Sequence, residues 1–173
     1  MAASPDVMQR VLSWARLARP EAHRPPAWWR VALATALALV LSLAADAALV
    51  FVGTRMFPAT KGYVHFAFGD YARLTVVGVL IACAAWPVVT RISSAPRWLF
   101  FRLAILVTLV LFAPDLYIWH QGQPSQAVEV LLSMHVAVAL VTYNLLVHVA
   151  PVRAASGATG ATRPEGRVAR RSS

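Results

Sequence analysis

The chain has 173 residues, 59% of them hydrophobic and only 13% charged, with a formal net charge of +9. A soluble domain is nearer half apolar and a quarter charged, so lipid is the expected solvent. The positive charge alone would admit nucleic acid. The basic residues, however, sit between and beside long apolar runs and never repeat along one face of a soluble element. They answer to membrane orientation and anionic headgroups, and nucleic acid is not an expected partner.

Residues 1–30 form a segment that does not span. Ser4-Pro5-Asp6 is a helix start, with Ser as N-cap, Pro at the first helical position and Asp near the positive end of the dipole. Val7, Met8, Val11, Leu12, Ala15 and Ala18 then recur at helical spacing, opposite Gln9, Arg10, Ser13 and Arg16, until Pro20 stops the run. A short basic amphipathic helix of this kind lies in the headgroup plane. The competing reading is a mobile tail. Arg24-Pro25-Pro26-Ala27-Trp28-Trp29-Arg30 follows, and paired Trp with Arg marks the membrane interface.

The first span is expected over about residues 31–52, and its one charge is Asp46. Ala34, Ala38, Ser42 and Asp46 recur every fourth residue, and small residues at that spacing let another helix approach closely. This stripe is the predicted surface for a second copy or another membrane protein. Ala45-Asp46-Ala47 also resembles a signal-peptide cleavage site, but the long preceding segment and the apolar run continuing to Val52 oppose cleavage. Residues 53–73 form a loop broken by Pro58, Gly62 and Gly69, with Val64-His65-Phe66-Ala67-Phe68 resting on the interface.

The second span covers about residues 72–89 and holds the lone Cys83, which reads as a small packing residue. A polar turn over residues 90–97 leads to the third span, about residues 98–114, which Pro114-Asp115 ends. Tyr117 and Trp119 make an aromatic belt. The fourth span covers about residues 127–149. Residues 152–173 are Ala, Gly, Ser, Thr and Arg without apolar period, which predicts a disordered tail. The expected fold is therefore all-α: a bundle of four transmembrane helices, up-down-up-down, occupying residues 31–151.

Thirteen of the sixteen basic residues fall on one side of this topology, and only Arg55, Lys61 and Arg73 on the other. The positive-inside rule then places both termini in the cytoplasm of a multi-pass cell-membrane protein. The use of Arg in place of Lys, with abundant Ala and Val, fits a GC-rich bacterial genome.

Leu74-Thr75-Val76-Val77-Gly78-Val79 opens the second span, Pro114-Asp115 closes the third and Met134-His135-Val136-Ala137-Val138-Ala139 lies in the fourth. With these runs the chain resembles a family of small four-helix membrane proteins from high-GC Gram-positive bacteria, recorded only as a domain of unknown function. The resemblance covers about residues 29–151 and implies a fold without an activity. At Asp46 this chain departs from it, since a neutral polar residue such as Asn is expected there.

An ionisable residue inside a span costs about 2.5–3.5 kcal/mol on insertion scales and suggests function by default. At 1.5 Å per residue, Asp46 and His135 lie at a common depth of roughly 10 Å below the same side. They are expected to meet, with Asp115 and Glu129 at the rim above them. The bland reading is that each makes an ordinary hydrogen bond within the bundle. The sharper ones are a proton or cation site, or a divalent metal, although no spacing motif selects the ligands. His135 and His148 are spaced like haem ligands, yet no other span offers a second axial His, and no cofactor is expected. The chain has no phosphate loop, Gly-x-Ser-x-Gly elbow or His-Glu-x-x-His. The expectation is a non-enzymatic accessory or structural component. The alternative is a small oligomeric proton or cation transporter using Asp46 and His135, with a membrane enzyme third.

Overall fold

The computed structural model describes residues 23–154. The expected amphipathic helix before Pro20 and the tail after Ala154 lie outside them. Four helices carry the fold: α1 (Trp28–Met56), α2 (Phe68–Ile92), α3 (Pro96–His120) and α4 (Ser125–Val149). All four are long and apolar enough to cross a membrane. At 1.5 Å per residue even the 25-residue helices reach about 38 Å, beyond a hydrocarbon core of about 30 Å.

The third helix exceeds its expected span because Pro114 does not stop it. Pro87 lies within α2 and Pro114 within α3, which continues to His120. A proline removes one backbone donor and pushes on the carbonyl four residues back. In a membrane bundle the helix continues, because neighbouring groups re-satisfy the backbone and the alternative is open chain in lipid. Near Pro87 the Thr90 hydroxyl donates to the Pro87 carbonyl at 2.8 Å. The polar turn shrinks accordingly to Ser93–Ala95. At the far end, Gly122 (φ 89°) takes the left-handed conformation that closes α3, with its N–H on Trp119 O and the N–H of Gln123 on Ile118 O.

Packing is closest between α1 and α4, then α3 and α4, then α1 and α2, while α2 also touches α3 and α4. Short connections make sequential helices antiparallel, giving the expected up-down-up-down bundle with α4 against all three partners. The approach of α1 to α4 is tight at Gly53, where an added Cβ would lie 2.6 Å from Val130 Cγ2. Gly53→Val should therefore destabilise by about 1–3 kcal/mol through overpacking. Adding Val130→Ala should restore most of the loss, measured as thermal midpoint in nanodiscs. Failure of the second change to rescue would show that this contact does not set the helix spacing.

Ala34, Ala38 and Ser42 are each 0% exposed. The small-residue stripe is thus used inside the molecule, against its own helices, and is not the outward surface for a partner that the sequence suggested. Two apolar clusters fill the interior. One, at the end carrying the chain termini, includes Ala38, Val79, Cys83, Trp86, Phe100 and Leu146. The other, at the loop end, gathers Phe66, Tyr71, Ala127, Val130 and Met134. Phe66 turns inward from the α1–α2 connection, whereas Val64 and Phe68 stay exposed.

Beyond α4, Ala150 is fully buried and its carbonyl accepts the Trp86 indole N–H at 3.0 Å. That anchor carries the chain onward to a two-residue antiparallel pairing of β1 (His23–Arg24) with β2 (Arg153–Ala154). The first residues of the expected disordered tail are therefore paired.

Candidate functional site

Between the two apolar clusters lies a layer of polar side chains. α1 contributes Asp46, which is 0% exposed and shares its helix face with Ser42, one turn away. α2 contributes Thr75, whose hydroxyl donates to Asp46 Oδ2 at 2.6 Å. Tyr71 is buried one turn from Thr75, within charge range of Asp46. α4 contributes His135, and α3 contributes Asp115, whose Oδ2 is 3.1 Å from His135 Nδ1. The same Nδ1–H donates to Leu131 O at 3.0 Å. The imidazole thus faces Asp115 at ion-pair distance while its proton points at a carbonyl, and Asp115 Oδ2 receives no hydrogen bond. The ring of Phe112 meets His135 edge-on at 6.3 Å and closes that side.

The α1–α2 connection supplies Tyr63, whose buried hydroxyl has no hydrogen-bond partner. Burial, and after it the nearby carboxyl of Asp115, hold this phenol above its ordinary range. Three more buried oxygens have no partner: Asp46 Oδ1, Ser42 Oγ and, nearer the terminal end, Thr142 Oγ1.

The structure therefore brings together three of the four residues singled out in the sequence. Asp46 and His135 lie within charge range of each other, but each takes a different direct partner. Asp115 does not lie beyond the third span: because α3 passes through Pro114, it sits in the last turns of the helix and is buried. Glu129 does not join the site. Its side chain is exposed, and only its carbonyl is used, by the Ser133 hydroxyl. Thr75, Tyr71 and Tyr63 were missed. A Thr inside an apolar run, with a Tyr four residues before it on the same face, was the available signal.

Among the described residues, no three His, Cys, Asp or Glu side chains converge as a metal set. His148 is exposed and bonds Asn144 O, and His65 pairs with Asp70 at 3.0 Å on the loop surface. Two grooves open sideways on the α3–α4 face. One, of about 370 Å³, is lined by Leu49, Phe112, Ser133 and Val136 among others. The other, of about 250 Å³, runs along Phe101, Ile105, Thr108 and Tyr143. Both are essentially apolar, and neither is lined by Asp46, Asp115 or His135.

A family described as a family of unknown function, DUF6069, matches residues 22–152. The chain belongs to the DUF6069 family. The DUF6069 match spans the whole bundle, from the paired β1 residues through α4, and so includes every residue of the polar layer. No curated protein and no solved structure matches the chain.

Proposed function

We infer that this DUF6069 protein is a non-enzymatic component of a bacterial cell membrane, with both termini in the cytoplasm and the bilayer as its principal partner. The origin in a high-GC Gram-positive organism rests on composition and the resemblance alone. One observation supports the non-enzymatic reading best: the ionisable groups are joined helix to helix inside the bundle, α2 to α1 through Thr75 and Asp46, and α3 to α4 through Asp115 and His135. Polar groups placed so fix which helices pair and at what depth, a role for which buried polar residues are kept in membrane bundles. The two apolar lateral grooves are lined by none of these groups.

The test is flux. Vesicles containing the purified protein should leak protons and sodium no faster than protein-free vesicles. A sustained flux that Asp46→Asn abolishes, with the protein still folded, would replace this reading with the transporter one. That second reading is favoured by the unpartnered oxygens of Asp46, Ser42 and Asp115. It requires an oligomer, since four helices packed on one another enclose little pathway.

The orientation has its own test. Gln121 and Ser94 are both exposed, at opposite ends of the bundle. In a Cys83→Ala background, an impermeant thiol reagent applied outside whole cells should modify Gln121→Cys and spare Ser94→Cys. The reverse pattern would invert the proposed topology.

A further inference from the structure

We propose that the polar layer is a proton-binding site in which Asp46 takes up and releases one proton. Asp46 Oδ2 has a donor in Thr75, but Oδ1 has none, and the residue is fully buried. An ionised carboxylate oxygen without a donor in a low-dielectric interior is the most costly state this side chain can adopt. Protonation at Oδ1 removes the charge and turns that oxygen into a donor. One turn away on the same face, the Ser42 hydroxyl is also fully buried and unpartnered. Two unpartnered buried oxygens one helical turn apart mark a place where a proton, with any water it brings, can complete the hydrogen bonding.

The two buried carboxyls differ in their neighbours. Asp115 has an imidazole nitrogen at 3.1 Å, whereas Asp46 takes the Thr75 hydroxyl at 2.6 Å. The groups facing Asp46 are Thr75 and Tyr71 from α2, His135 from α4 and, beyond the imidazole, Asp115 from α3, with Tyr63 of the connection near Asp115. With Asp46 neutral, an Asp115 carboxylate and an imidazolium sum to zero charge. With Asp46 ionised, two carboxylates share one cation. Uptake transfers a proton from a hydronium ion to Oδ1, forming one O–H bond and leaving water. The site requires no passage to the opposite side, so flux measurements and this proposal succeed or fail separately.

The chain has four aspartates, Asp6, Asp46, Asp70 and Asp115, which makes isotope-labelled aspartate a selective probe. The labelled protein, in nanodiscs and choline buffer, would be titrated by infrared spectroscopy over the whole pH range in which it stays folded. One buried carboxylic-acid carbonyl band should grow on acidification and be absent in Asp46→Asn. If that variant does not fold, Asp6→Asn, Asp70→Asn and Asp115→Asn assign the band by elimination, since each should retain it. His135→Gln removes the nearby imidazole and should raise the midpoint. Several results would overturn the proposal: an Asp46 ionised throughout, an Asp46 protonated throughout while the protein stays folded, a band belonging to Asp115, or a band that answers to added sodium but not to pH.

Discussion

His135→Leu is expected to destabilise the bundle by about 3 kcal/mol, the lower end of the range for breaking a buried ion pair from one side. The loss arises at Asp115. Its side chain is 10% exposed and would face apolar neighbours with no imidazole at 3.1 Å. The double variant His135→Leu with Asp115→Leu should recover most of the stability, since an apolar pair leaves nothing uncompensated. The chain offers its own reporter: Cys83 is the sole cysteine and only 4% exposed, so a thiol-reactive dye reads its unmasking on heating. If the double variant is no better than the single one, Asp115 and His135 do not act as a pair.

A comparable loss is expected at Trp86. The side chain is 0% exposed, meets Phe100 edge-on at 5.0 Å and donates to the Ala150 carbonyl. Trp86→Ala should cost about 3–5 kcal/mol, combining lost contact with a cavity in the terminal-end cluster. Trp86→Phe keeps most of the ring and removes the N–H, leaving a buried carbonyl unsatisfied at about 1–3 kcal/mol. The same dye assay separates the two variants. Equal stability of Trp86→Phe and the natural protein would mean that the Ala150 carbonyl finds water when the indole is gone.

The four spans were legible in the sequence because length and apolarity are sufficient signals when lipid is the solvent. Their ends were not, and Pro114 shows why. The rule that proline stops a helix belongs to chains whose freed backbone groups can turn to water. The error at Pro114 carried into the site, because it put Asp115 outside the helix. The nearness of Asp46 and His135 was legible too, from counting residues. Azimuth was not, since which side of a helix meets which neighbour depends on packing that one sequence does not display. That is why Asp46 bonds Thr75, Glu129 points away and the stripe of Ala34, Ala38 and Ser42 faces inward. Even the inward stripe was recognised correctly as a close-approach surface; only its partner was assigned to the wrong molecule.

The pairing of His23–Arg24 with Arg153–Ala154 turns the described chain into a closed loop of backbone. During synthesis one half of that clasp emerges long before the other. It cannot fasten until the last helix has been threaded through the bilayer and its end returned to the starting side. Amide exchange within His23–Arg24 and Arg153–Ala154, at whichever pair carries the ladder hydrogen bonds, therefore times the completion of insertion rather than the formation of any single helix. A chain stalled with three helices inserted would leave Arg24 exchanging as freely as an unpaired strand.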